Sequence, residues 1–85
     1  MSEHESTRFV LHPHAARRMR FCDISALDIW QVLEDYETRR LAHQLPHLDY
    51  RSEIFVGMVR GRRLRVYVMQ GSDPPYIMTV AWEKR

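Results

Sequence analysis

The chain has 85 residues, 45% of them hydrophobic and 28% charged, with a net charge of +2 when the histidines are neutral. That length admits one domain with one core and excludes separate catalytic and binding domains, and the composition belongs to a folded rather than a disordered protein. Lys84 is the only lysine, so arginine carries nearly all the positive charge, and its planar fork suits phosphate and carboxylate partners.

Cys22 is the only cysteine, so one chain can build neither an internal disulfide nor a thiolate metal cage, and a reducing cytoplasm fits. Met1 to Thr7 is polar and acidic, without the basic-then-apolar order of a secretory signal, and reads as a tail ahead of a single domain over residues 8–85. No stretch approaches membrane-spanning length, so no membrane partner is expected.

Phe9, Val10 and Leu11 form a short apolar run able to lead as a strand into a helix, and Pro13 suits the first helical turn, where its missing N–H costs nothing. From His14 to Cys22, the spacing of Ala15, Met19 and Cys22 makes one narrow apolar stripe, with Arg17 and Arg20 turned elsewhere. His14 and Arg18 stack one turn apart along its edge. Cys22, on the stripe, reads as core rather than as a nucleophile.

Ser25 to Asp28 matches a capping box, with Ile24 and Ile29 at the staple positions. In the second helix Ile29, Val32, Leu33 and Tyr36 face the core, and Asp28, Gln31, Glu34 and Asp35 face away. Glu37 to Tyr50 reads as a loop with an edge strand, because Pro46 interrupts any helix there. His43 and His47 have the spacing of a helical zinc pair, but Pro46 lies between them and no third ligand completes the pattern, so no metal is expected.

Valine- and aromatic-rich runs then predict three strands, Ile54 to Arg60, Arg63 to Gln70 and Tyr76 to Glu83. Gly61-Arg62 is expected as the tight turn of the first pair, and the segment from Gly71 to Pro75 as a longer second loop. The fold class is therefore α+β: two short N-terminal helices on one face of a three- to four-stranded antiparallel sheet.

Alternation in the middle strand sends Leu64, Val66 and Val68 under the helices and Arg63, Arg65 and Tyr67 to the open face. In the last strand Met78, Val80 and Trp82 make the matching apolar row, leaving Ile77, Thr79 and Ala81 outside. An open face with arginine, tyrosine and threonine suits an anion. If the first helix reaches the rim, His14 completes the site as general acid or base, with arginine stabilising charge on a phosphate in transfer. The alternative for His14 is a helix cap or edge packing. With only three glycines and no phosphate loop, nucleotide-cofactor chemistry is not expected, and no cofactor is implied.

The run His14-Ala15-Ala16-Arg17-Arg18-Met19, then Ile24-Ser25, then Gly61-Arg62-Arg63-Leu64-Arg65-Val66 and Thr79-Val80-Ala81-Trp82, resembles a small bacterial family, domain-of-unknown-function family 4258. The resemblance spans nearly the whole chain beyond the tail and rests on the order and spacing of these motifs. It implies a fold similar to the RelE-like and barnase-like ribonucleases, with metal-independent RNA cleavage on the open sheet face. Carried onto this sequence, the family's basic positions become His14, Arg18, Arg63 and Arg65, with Thr79 as a polar accessory; the four basic residues are expected to be catalytic, and Arg17, Tyr67 and Thr79 to bind the RNA. An antitoxin or immunity protein is the partner such a toxin domain implies. Where the family runs Arg-Gly before the isoleucine, this chain has Cys22-Asp23, with one cation and a helix-closing glycine fewer.

Two further readings stand beside the ribonuclease. One is a non-catalytic module binding nucleic acid or protein through the same face. The other is a fold kept for assembly, with Ile77 and an exposed sheet edge forming a homodimer contact.

Overall fold

The computed structural model describes residues 8–42 and 51–84; the expected tail and the His43 and His47 pair lie outside the described residues. The elements run β1 (Val10–Leu11), α1 (Pro13–Cys22), α2 (Ala26–Glu34), β2 (Thr38–Leu41), β3 (Ser52–Val59), β4 (Arg62–Met69) and β5 (Tyr76–Trp82).

The class is α+β, as expected, but the sheet is larger and mixed. Its five strands lie in the order β1-β5-β4-β3-β2, with β1 parallel to β5 and every other pair antiparallel. The expectation of three or four strands, all antiparallel, is corrected by β1, which returns to β5 through bonds from the Val10 N–H to the Pro75 carbonyl (2.8 Å) and the His12 N–H to the Ile77 carbonyl (2.9 Å). Two residues cannot carry a strand period, so their pairing leaves no trace in the sequence. The edge strand expected after Glu37 is β2.

Local chemistry explains both helices. Ahead of Pro13, the imidazole Nδ1 of His12 accepts from the His14 N–H at 2.9 Å and caps α1. At the other end Asp23 takes the left-handed conformation (φ 56°, ψ 51°), and its N–H donates to the Met19 carbonyl. The aspartate therefore does the work of the absent glycine. Aspartate tolerates this region better than most residues but less well than glycine. Asp23→Gly should stabilise by up to about 1 kcal/mol and Asp23→Val should cost about 1–2 kcal/mol, as read by thermal denaturation.

α2 opens on the expected capping box. The Ser25 hydroxyl accepts from the Asp28 N–H at 3.1 Å, and the Asp28 carboxylate accepts from the Ser25 N–H at 3.0 Å. Asp28 was assigned to the solvent side by helical spacing, but it is buried at 7% exposure because Arg60, arriving from the β3–β4 hairpin, pairs with it at 3.2 Å.

Both helices cover one face of the sheet, α1 along β5 and α2 across β3 and β4. The core between the layers joins Ala15, Ile24, Ile29 and Val32 to Val59, Leu64, Val66, Val68, Ile77 and Val80. Met19, Cys22 and Leu33 pack against its margin, as the apolar stripes require. Gly57 lets α2 come close, because a Cβ there would lie 3.3 Å from the Asp35 carbonyl oxygen and 3.4 Å from a Val32 methyl. Tyr36, expected on the core stripe, lies beyond the end of α2, is exposed, and meets Phe55 edge-on at 5.1 Å.

Two strand details are corrected. The hairpin turn is Arg60-Gly61, not Gly61-Arg62: both turn residues have positive φ (51° and 80°), and Val59 pairs with Arg62 across it. In β5 the register slips between Tyr67 and Val68, so that Tyr67 pairs with Thr79 but Val68 with Ile77, and Met78 is extra. Ile77 and Val80, three apart, consequently both face the helices. Ile77 is fully buried, which removes it from the open face and from any homodimer contact.

Candidate nucleic-acid interface

The face of β4 turned from the helices carries Arg63, Arg65 and Tyr67, opposite Met58, Val56 and Ile54 of β3. On β5, Thr79 pairs with Tyr67 and Ala81 with Arg65, and Glu83 continues the row. The floor of this face is apolar. Ile54 and Val56 are buried, yet neither belongs to the core beneath the helices.

Each arginine is held in place. Arg63 Nε donates to Glu37 at 3.0 Å. Arg65 donates to Glu83 through Nε (3.3 Å) and Nη2 (3.1 Å), and its Nη1 donates to the Tyr67 hydroxyl at 3.4 Å. The Tyr67 hydroxyl, and after it Glu83, raise the Arg65 guanidinium further above its ordinary value, so it is a permanent cation. These ion pairs are partly exposed, the class of pair that contributes least to stability.

The helix residues expected here are elsewhere. α1 lies on the other side of the sheet from Arg63, Arg65, Tyr67 and Thr79, and its His14 and Arg17 are exposed on that helix layer. Arg18 reaches the rim instead. The Glu83 N–H donates to the Arg63 carbonyl at 2.9 Å, and with this register the Val80 carbonyl points away from β4 to the outer edge, where Arg18 Nε meets it at 3.5 Å. The seven expected site residues thus divide into an open-face group of four and a helix-layer group of three, with no hydrogen bond between the groups among the described residues.

Sequence reasoning missed several contributors. Glu83 was legible in principle, because it continues the alternation of Thr79 and Ala81. Glu37 was not, since only the fold brings it to Arg63, and the same holds for the lock at the hairpin tip. There Arg62 and Arg60 lie over the Trp82 ring at 4.4 Å and 5.6 Å, Trp82 Nε1 donates to the Cys22 carbonyl at 2.8 Å, and Arg60 donates to the Asp23 carbonyl at 2.9 Å. The result is a hairpin tip with arginine at residues 60, 62 and 63, next to Lys84.

No protein-family model matches this chain, and no curated protein and no solved structure is detectably similar to it. Among the described residues, no three His, Cys, Asp or Glu side chains group as metal ligands, and no helix is long and apolar enough to cross a membrane. The open face thus carries two arginines, each paired with a glutamate, and the Tyr67 and Thr79 hydroxyls over an apolar floor.

Proposed function

We propose that this chain is an RNA-binding domain of RelE- or barnase-like architecture, holding phosphates on the sheet face opposite the helices. The observation that carries the reading is the convergence of Arg63, Arg65, Tyr67 and Thr79 on that face beside the arginine-rich hairpin tip. Phosphate contacts of this kind set affinity and its salt dependence. Tyr67 adds an aromatic surface of the sort on which an unpaired base stacks.

Binding is proposed here without cleavage. A general acid or base has to stand within hydrogen-bond or one-water reach of the reacting phosphate, and His14 sits in the helix layer across the sheet from Arg65. In fluorescence anisotropy with single-stranded RNA, Arg63→Glu/Arg65→Glu should weaken binding by on the order of ten-fold, and Arg65→Ala should lower the salt slope by about one. His14→Ala should leave affinity unchanged, and RNA incubated with the protein in EDTA should stay intact. Cleavage that persists in EDTA and vanishes in His14→Ala would restore the ribonuclease reading. Indifference to both arginine changes would end the proposal altogether.

A further inference from the structure

The two arginines of the open face are matched by two carboxylates. Arg63 pairs with Glu37 and Arg65 with Glu83, so the charges of the two pairs cancel. The sheet itself delivers both acids. The Glu37 N–H donates to the Val56 carbonyl at 2.7 Å one residue ahead of β2, and the Glu83 N–H donates to the Arg63 carbonyl at 2.9 Å one residue past β5. Backbone bonds therefore fix each acid beside its arginine.

The guanidinium of Arg65 is engaged on both edges. Its Nε (3.3 Å) and Nη2 (3.1 Å) donate to the same oxygen of Glu83, Oε2, and its Nη1 donates to the Tyr67 hydroxyl at 3.4 Å. The edge formed by Nε and Nη2 is one with which an arginine grips a carboxylate or a phosphate through paired bonds, so the same two donors cannot serve both at once. Arg63 gives its Nε to Glu37 at 3.0 Å and, among the described residues, makes no hydrogen bond from either Nη. Exposure ranks the two pairs. The side chains of Arg65 and Glu83 are 34% and 27% exposed against 56% and 42% for Arg63 and Glu37, and water screens the second pair more.

We propose that Glu37 and Glu83 are internal competitors of phosphate, which occupy the arginines of the RNA face and set its affinity, Glu83 more strongly than Glu37. The inference rests on the RNA-binding reading of this face and deepens it. A phosphate that reaches Arg65 gains only the difference between its own paired bonds and those it displaces, because the guanidinium has an anionic partner before and after the exchange. With the carboxylate removed, the guanidinium takes a phosphate without giving up an ion pair.

The test is a double-mutant cycle on the full chain, read by fluorescence anisotropy with single-stranded RNA at low salt, which keeps the weaker variants measurable. Glu83→Gln keeps the shape of the side chain and removes its charge. It should tighten binding about two- to five-fold, and Glu37→Gln should do so by less. In an Arg65→Gln background Glu83→Gln should have little effect, whereas in an Arg63→Gln background it should still tighten binding. That pattern separates competition for one arginine from the general gain of removing a negative charge, which would appear in every background. If wild type and Glu83→Gln bind RNA equally, or if Glu83→Gln tightens binding as much without Arg65 as with it, the competition is overturned and the RNA reading stands. Binding by none of the proteins, the Glu37→Gln/Glu83→Gln double variant included, overturns both, and binding by the double variant alone supports both.

Discussion

Ile77→Ala is expected to destabilise the fold by about 3 kcal/mol, while Met78→Ala costs under about 1 kcal/mol. The two neighbours differ because of one inserted residue. Strict alternation would bury Met78 and expose Ile77, whereas the register slip at Tyr67 and Val68 buries Ile77 completely and leaves Met78 half-buried. Truncating Ile77 removes three buried carbons and leaves a void among Ala15, Val68 and Val80, in a core of few large side chains. In a domain of this size each kcal/mol moves the midpoint by roughly 4–8 °C, so a drop of more than about 10 °C is expected for Ile77→Ala and a few degrees for Met78→Ala. Comparable shifts, or the reverse order, would show that the strand alternates without the bulge.

Trp82→Ala should cost about 3 kcal/mol, the second large effect, although Trp82 is only half-buried. Its ring joins three parts of the chain: it packs against the core, carries the Arg62 guanidinium at 4.4 Å, and donates from Nε1 to the Cys22 carbonyl near the end of α1. Phenylalanine keeps most of the apolar contact and loses the indole N–H, leaving the Cys22 carbonyl to water. Trp82→Phe is therefore expected to cost only about 1 kcal/mol. Chemical denaturation of the two variants separates packing from hydrogen bonding, because the m-value should stay constant if only native-state contacts change. Equal losses in both variants would put the whole effect on the hydrogen bond.

The candidate site was half legible. Arg63, Arg65 and Tyr67 could be placed on one face from period-2 alternation in a single strand, which depends only on neighbours along the chain. Thr79 was placed correctly because it lies past the bulge, where the alternation of β5 again matches that of β4. His14 and Arg18 were joined to that face by an assumption about where α1 docks. Helical spacing says which side chains share a helix stripe but not which side of a sheet the stripe covers in relation to another strand's exposed row.

The sequence by itself determined the α+β class, both helices, the capping box at Ser25 and Asp28, and the outward row of β4, since each rests on interactions within about seven residues. It also located the three long strands to within two residues at their ends. Tertiary structure alone decided the parallel pairing of β1, the burial of Asp28 under Arg60, the exchange of Ile77 for Met78 in the core, and the separation of His14 from Arg65. Those four outcomes are pairings between residues far apart in the chain, and no local period encodes which distant strand or side chain will fill a place in the core. Among the described residues the arginines of β4 form a row in which Arg63 pairs with Glu37 and Arg65 with Glu83, rather than one cluster around a histidine.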